Sequence, residues 1–138
     1  MDQKQKIELF SACQAVVCDL DGTLYLDDTP FPESAVFLKK IIHSGRQLFY
    51  FTNNTSKSKQ SYLSKLHRLG FPVNEKMLIT AADCTFQYLH QSKLGPEIYL
   101  IGNRDLRQEF ESRQFICLSE EQIDQGQRSE ERRVGKEC

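Results

Sequence analysis

The stretch AVVCDLDGTL, residues 15–24, decides the fold of this 138-residue chain. It opens with an apolar run whose β-branched valines precede a glycine-containing turn, a pattern that predicts a buried strand. Asp19 and Asp21 are two residues apart at the end of that run, so their side chains lie on the same side of an extended chain. Because α/β folds bind ligands at the carboxyl ends of parallel strands, we expect both carboxylates to face one site.

Two carboxylates in a metal-assisted phosphoryl site can divide the work, one attacking as a nucleophile and the other moving a proton. Gly22 then allows a tight turn and a close approach of the backbone to a ligand, and the Thr23 hydroxyl can bond backbone or phosphate oxygens. The alternative is an ordinary strand and turn in which Asp-Gly only marks the turn.

Strand and helix patterns alternate along the rest of the chain. Apolar runs predict further strands at residues 47–52, 77–80, 98–101 and 115–118, and helical spacing is found between them at residues 33–45, 58–69, 81–92 and 106–112. The order βαβαβαβαβ predicts an α/β fold with a Rossmann-like, doubly wound parallel sheet covered by helices.

A second polar motif, FTNNTS at residues 51–56, follows the second predicted strand. Hydroxyl and amide side chains ahead of a helix amino terminus suit an anion, because unpaired backbone N–H groups point at it. Thr-Asn-Asn clusters also occur as plain turns and caps. The position of the motif, one βα unit after the acid pair, favours an anion site there.

Composition excludes several classes of function. Hydrophobic residues make up 39% of the chain and charged residues 27%, which is typical of one globular domain. Eighteen basic and 19 acidic side chains give a net charge of −1, so no basic field favours nucleic acid as a partner. The apolar runs fall far short of the roughly 20 residues that cross a bilayer, so we expect no membrane partner.

The first ten residues lead into no hydrophobic signal segment, and we therefore expect a cytoplasmic protein. The cysteines form an odd set without a C-x-x-C pair, which favours reduced thiols over disulfides or a zinc site. They are Cys13, Cys18, Cys84, Cys117 and Cys138.

The sequence resembles the haloacid-dehalogenase-like superfamily, and within it the NagD-like and 4-nitrophenylphosphatase branch. The matching elements are VVCDLDGTLY, PESAVFLKKI, FTNNTSKS, LITAADCTFQYL and EIYLIG, so the resemblance covers about residues 14–118. It implies a phosphoric monoester hydrolase acting on small phosphorylated metabolites of the sugar-phosphate type.

The resemblance also implies roles for individual residues. Asp19 attacks phosphorus and forms an aspartyl-phosphate, and Asp21 protonates the leaving alcohol and then activates water. Mg²⁺ is held by the Asp19 carboxylate and the Asp21 backbone carbonyl, and phosphate by Gly22, Thr52, Asn53 and Asn54. Asp27 and Asp28 fall where the family has a mobile flap, and we interpret them as solvated turn residues.

The last eleven residues, RSEERRVGKEC, match the translation of a common short-read sequencing adapter. We therefore expect residues 1–127 to be the amino-terminal part of the hydrolase core and residues 128–138 to be a non-native tail. The family's cap, its phosphate-balancing lysine and its second acidic motif are missing after Leu118. Without them the carboxylates and a phosphate dianion repel one another, so we expect little or no activity from this chain alone.

Two rival hypotheses remain open. One is a non-catalytic module that binds phosphate at Thr52 and Asn53 without turnover. The other is a gene fragment that does not fold, because half a sheet leaves an open edge and an open apolar face. The oligomeric state is not determined by these patterns.

Overall fold

Three parallel strands form the central sheet in the computed structural model, which describes residues 2–122. They are β1 (Ala15–Asp19), β4 (Gln47–Thr52) and β5 (Leu78–Thr80), in the spatial order β1-β4-β5. Cys18 pairs with Tyr50, and Tyr50 pairs with Leu78. The predicted α/β fold with a parallel sheet is therefore confirmed. All three strands end at the same edge, where the polar motifs begin.

The helices whose bounds are described are α1 (Gln3–Ala12), α2 (Ser34–His43), α3 (Lys59–Arg68), α4 (Ala81–Gln91) and α5 (Arg104–Ser112), and a 3₁₀ turn covers Glu75–Met77. Ser58 begins α3 by accepting a hydrogen bond from the Ser61 N–H. The sequence patterns missed α1, which begins with a reciprocal capping box between Asp2 and Gln5. No helix within residues 2–122 is long and apolar enough to cross a bilayer.

The core lies on one face of the three-stranded sheet. Inward side chains of the strands, including Cys18, Tyr50 and Leu78, join Leu38 of α2 and Leu66 of α3 in one buried cluster. Alternate strand residues face the other way, and Val17 is 64% exposed there. Both helices therefore cover the same face of this part of the sheet.

A short hairpin, β2 (Tyr25–Leu26) and β3 (Thr29–Pro30), follows the turn at Gly22. The two strands are antiparallel, and Asp27 between them has a φ of 50°. Aspartate tolerates this left-handed conformation better than most residues, so its place in the tight connection has a physical reason. The hairpin was not predicted from the sequence, because each strand is only two residues long.

The described residues divide into two compact units, with the boundary between Thr85 and Phe86. In the second unit, β6 (Glu97–Ile98) and β7 (Ile116–Cys117) pair in parallel with α5 between them, and Phe110 and Phe115 form part of its aromatic cluster. The prediction that these strands extend the central sheet is wrong, since they form a separate two-stranded sheet. Apolar periodicity identifies a strand but does not say which sheet it joins. The predicted tail at residues 128–138 lies outside the described residues.

Candidate active site

The first part of the site is Asp19, the last residue of β1. Its side chain is exposed, and its Oδ2 accepts a hydrogen bond of 2.9 Å from Thr23 Oγ1. A carboxylate that is both accessible and oriented by a neighbour suits a nucleophile. The sequence analysis predicted that the Thr23 hydroxyl would bond backbone or phosphate oxygens. In the structure it donates to the Asp19 carboxylate instead.

The turn that follows β1 reverses the chain tightly. The Leu20 carbonyl accepts hydrogen bonds from the N–H groups of both Thr23 and Leu24, and the Gly22 N–H donates to the Tyr25 carbonyl over 2.8 Å. Gly22 has a φ of +80°, while a Cβ added there meets nothing within 4 Å. Glycine is therefore needed here for its backbone conformation rather than for space. Its predicted contact with phosphate stays a prediction.

The second part of the site is the loop that follows β4. Thr52 is 1% exposed, and its Oγ1 accepts a hydrogen bond from the Asn54 N–H over 3.2 Å. Asn54 Oδ1 accepts in turn from the Ser56 N–H over 2.9 Å. Asn53 is exposed between them. These local bonds give the loop a defined shape before any anion binds, as side-chain turns of this kind commonly do.

Strand register brings the two parts together. Asp19 pairs with Phe51 across β1 and β4, so the acid motif and Thr52 follow neighbouring strands at the same edge. Tyr62 of α3 links them further, because Thr52 and the charge of Asp21 both act on its hydroxyl. The predicted convergence of Asp19, Asp21 and Thr52 is thus consistent with the geometry of the described residues.

A buried lysine lies beneath the acid motif. Lys65 of α3 is 7% exposed, and its Nζ lies 4.0 Å from the centroid of the Tyr25 ring. The same nitrogen is 3.9 Å from Asp21 Oδ1 and 4.0 Å from Asp28 Oδ1. Asp28 also pairs with Arg68 at 3.0 Å. The interpretation of Asp28 as a solvated turn residue therefore leaves out its pairing with two cations.

Two buried tyrosines complete this layer. Burial raises the pKa of Tyr25, and the negative charge of Asp21 raises it further. Burial also raises the pKa of Tyr62, against a smaller lowering by its hydrogen bond to Thr52. Both phenols therefore stay neutral at ordinary pH. Although Asp21 lies close enough to act on the Tyr25 hydroxyl, no described group meets hydrogen-bond geometry with this buried oxygen.

At the third strand end, Thr80 and Asp83 cap α4. The Asp83 N–H donates to Thr80 Oγ1 over 3.0 Å, and the Thr80 N–H donates back to Asp83 Oδ2 over 3.2 Å. Lys59 of α3 forms a 2.9 Å ion pair with the same carboxylate. Asp83 thus fixes the start of α4.

The oxygen atoms of the acid motif are of the type that binds Mg²⁺. Magnesium prefers a small number of protein oxygens together with water, and the Asp19 carboxylate and the Asp21 backbone carbonyl are such oxygens. Across residues 2–122, no three side chains of the His, Cys, Asp and Glu types are grouped closely enough to hold a metal by themselves. The described residues therefore fit Mg²⁺ as part of a ligand set.

A separate apolar groove of about 660 Å³ opens at the opposite end of the central sheet. Leu48 and Phe49 at the start of β4 line it, together with Met77 just before β5. It lies at the amino ends of the strands, whereas Asp19 and Thr52 lie at their carboxyl ends. The groove is therefore not part of the candidate site.

Comparison with known proteins assigns the family. The model of the haloacid dehalogenase-like hydrolase family matches residues 16–116, which include both polar motifs. The chain belongs to this family. Within the haloacid dehalogenase-like hydrolases it is 32% identical to human glycerol-3-phosphate phosphatase over 112 residues. It is 30% identical to a 5′-nucleotidase of Bacillus subtilis over 93 residues.

Solved structures of this hydrolase family share the fold. The 4-nitrophenylphosphatase of Thermotoga maritima matches 81% of this chain with a TM-score of 0.74 and 28% identity. NagD from Escherichia coli matches 77% of it with a TM-score of 0.67 and 28% identity. The expected resemblance to the NagD-like and 4-nitrophenylphosphatase branch is confirmed.

The chain spans only part of each relative. It covers 35% of the human phosphatase and 36% of the Bacillus nucleotidase, and 43% and 42% of the two structures. These fractions of the relatives' lengths agree with the expectation that the chain contains only part of the hydrolase core.

Sequence reasoning missed Lys65, Tyr25 and the pairing of Asp28. A signal for Lys65 was present, because it lies three residues after Tyr62 and four before Leu69 on the predicted apolar face of α3. A lysine on an apolar stripe is rarely buried without a charged partner, so its position pointed to nearby acids. Tyr25 carried no comparable signal, since its burial depends on the unpredicted hairpin.

Proposed function

We propose that this chain supplies the nucleophile and the phosphate loop of a Mg²⁺-dependent phosphatase acting on small phosphate monoesters. The observation that carries the proposal is the Asp19 carboxylate, exposed at the end of β1 and oriented by Thr23. It stands one strand away from the preformed Thr52 loop in a chain of a hydrolase family.

In the proposed reaction, an Asp19 oxygen forms a bond to phosphorus while the bond from phosphorus to the leaving oxygen breaks. The Asp21 carboxyl gives its proton to that leaving oxygen, so the product departs as a neutral alcohol. Asp21 then takes a proton from water, and the resulting hydroxide releases phosphate from Asp19. Both carboxyl groups return to their starting states.

The Asp19 carboxylate and the Asp21 backbone carbonyl would hold Mg²⁺, which would supply positive charge that lowers repulsion between carboxylate and phosphate. The phosphate oxygens are held, in this proposal, by the Thr52 hydroxyl and by Asn53 and Asn54, with the backbone at Gly22 close by. Thr52 is already fixed by its bond to the Asn54 N–H, so little further ordering is needed.

The names of the relatives support the substrate class. They include a glycerol-3-phosphate phosphatase, a 5′-nucleotidase and an acid sugar phosphatase of Staphylococcus saprophyticus. We accordingly propose a small phosphorylated metabolite as the partner, rather than nucleic acid or a membrane. Cys13, Cys18, Cys84 and Cys117 are free thiols, which supports the proposed cytoplasmic compartment.

The chain matches about two fifths or less of each named relative, which supports the proposal that it is a fragment with little turnover by itself. The cation that balances the phosphate and the remaining Mg²⁺ ligands then belong to the rest of the protein. We call the product of the whole reading frame the complete protein.

Hydrolysis of 4-nitrophenyl phosphate by the complete protein and by the 138-residue chain tests the proposal. We expect Mg²⁺-dependent hydrolysis by the complete protein and a loss of at least about 1,000-fold in Asp19→Asn. Asp27→Asn is the matched control, because Asp27 is exposed in the hairpin and asparagine tolerates its positive φ. Unchanged hydrolysis in Asp19→Asn would reject the proposal. Stabilisation by phosphate without hydrolysis would favour the non-catalytic module instead.

A further inference from the structure

Lys65 lies in a place that is costly for a charged side chain. It is one of four buried residues of α3, together with Tyr62, Leu63 and Leu66. A buried ammonium group is tolerated only where opposite charges or polarisable groups compensate for lost water. The described compensation is the face of the Tyr25 ring and the carboxylates of Asp21 and Asp28.

These contacts fix the direction of the ammonium group. Tyr25 is fully buried and Lys65 Nζ lies 4.0 Å from its ring centroid, so the lysine stem has little room to turn away. The Asp21 side chain is by contrast 43% exposed. A rigid cation therefore faces a carboxylate that is otherwise able to change rotamer in solvent.

We propose that Lys65 is a positioning residue for Asp21, which holds that carboxyl in reach of the leaving oxygen. The inference rests on the proposed function, in which Asp21 moves the proton. Proton transfer requires hydrogen-bond reach between the acid and the leaving oxygen, and small displacements lower its rate steeply. At 3.9 Å the ammonium attracts Asp21 without donating a direct hydrogen bond to it, so the carboxyl oxygens stay available to substrate.

Substitution of Arg68 distinguishes positioning of Asp21 from simple anchoring of the hairpin. It lies three residues further along α3 and pairs with Asp28 at 3.0 Å. Lys65 approaches both Asp28 and Asp21. If Lys65 acts only by holding the hairpin through Asp28, loss of Arg68 has a similar effect. If it acts on Asp21, the two substitutions differ.

The kinetic test compares Lys65→Met, Lys65→Arg and Arg68→Met in the complete protein. An alkyl phosphate such as glycerol phosphate needs a proton on its leaving oxygen, whereas 4-nitrophenolate leaves readily without one. We expect Lys65→Met to lower kcat/KM for the alkyl ester about 30-fold and for the aryl ester less than about 3-fold. Lys65→Arg restores most of the loss, and Arg68→Met leaves both values within about 3-fold. Equal losses on the two substrates, or none, would overturn the proposal.

A second measurement needs no turnover and uses the 138-residue chain. Carbon-detected NMR of ¹³C-labelled aspartate carboxyls, at one fixed pH, reports on the surroundings of Asp21 and Asp28. We expect Lys65→Met to shift both signals and Arg68→Met to shift that of Asp28 alone. An unmoved Asp21 signal in a folded Lys65→Met chain overturns the positioning role, even if the wild-type protein proves inactive. If the wild-type protein hydrolyses no phosphate monoester but the Asp21 signal does move in Lys65→Met, only the proposed function is rejected.

Discussion

Thr23 Oγ1 donates a hydrogen bond of 2.9 Å to Oδ2 of Asp19, which lies four residues earlier in the chain. The bond connects the turn that follows β1 to the carboxylate at the end of β1. The turn is itself stabilised by hydrogen bonds that the Leu20 carbonyl accepts. One carboxylate oxygen is thereby oriented by a hydroxyl, and attack on phosphorus is expected from Oδ1. The hydrogen bond links the conformation of Gly22 to the orientation of the proposed nucleophile.

Thr23→Val removes this bond while keeping the shape of the side chain. We expect kcat/KM of the complete protein for 4-nitrophenyl phosphate to fall about 10-fold, because the carboxylate loses an orienting charge-assisted bond. Stability should change by less than about 1 kcal/mol, since water can replace the hydroxyl at an exposed carboxylate. Thr29→Val, at an exposed hairpin position, is the control. Equal activity in the two variants would contradict the orienting role.

Leu38 of α2 is fully buried in the core, whereas Val36 on the same helix is 54% exposed. Leu38→Ala should lower the free energy of unfolding of the 138-residue chain by about 2–5 kcal/mol, because it removes buried methyl groups and leaves a cavity. Val36→Ala should change it by less than about 0.5 kcal/mol. Urea unfolding measures both. A chain with no cooperative transition at all would support the rival hypothesis that the fragment does not fold.

Tyr25 and Tyr50 are both fully buried, but their hydroxyls differ. Tyr50 donates to the Pro72 carbonyl over 2.7 Å, while the Tyr25 hydroxyl has no hydrogen-bond partner among the described residues. Tyr50→Phe should cost about 1–2 kcal/mol of stability, because it leaves a carbonyl unpaired. Tyr25→Phe should be neutral or stabilising, because it removes a buried hydroxyl with which no described residue meets hydrogen-bond geometry. A larger cost for Tyr25→Phe would show that its hydroxyl has an essential partner.

Alkaline pH should destabilise the chain through the same two tyrosines. Burial raises the pKa of each phenol above its ordinary value of 10.0. The stability from keeping them protonated is complete below about pH 10, and it falls as pH rises from there towards the folded-state pKa. The slope is at most about 1.4 kcal/mol per pH unit for each tyrosine. Unfolding measured between about pH 8 and pH 11 should show this fall, and Tyr50→Phe should reduce its slope. A flat profile would contradict the assignment.

The sequence predicted the central strands because two physical signals coincide there. β1 and β4 are short apolar runs that stop at polar motifs, and register alone then brings Asp19 close to the Thr52 loop. Ser58 carries a comparable local signal, since its hydroxyl directly precedes an amphipathic helix. Local pattern and tertiary placement agree at these positions.

The remaining features depend on contacts that local patterns do not carry. β6 and β7 look like further strands of one sheet, and only their mutual pairing separates them from it. The site of Lys65 is completed by Tyr25 and Asp28, which lie about 40 residues earlier and reach it through a hairpin of two-residue strands. The apolar helix face that contains Lys65 could be predicted from the sequence, but the carboxylate partners of Lys65 could not.

Trapping the phosphoenzyme tests the central claim most directly. The complete protein is mixed with Mg²⁺ and a ³²P-labelled phosphate monoester, quenched in acid within one turnover, and its labelled peptide is sequenced. Label on Asp19, absent in Asp19→Asn and accumulating in Asp21→Asn, is the predicted result, because Asp21 activates the water that releases phosphate. Turnover with no label on Asp19, or label that persists in Asp19→Asn, would contradict the assignment of Asp19 as the nucleophile.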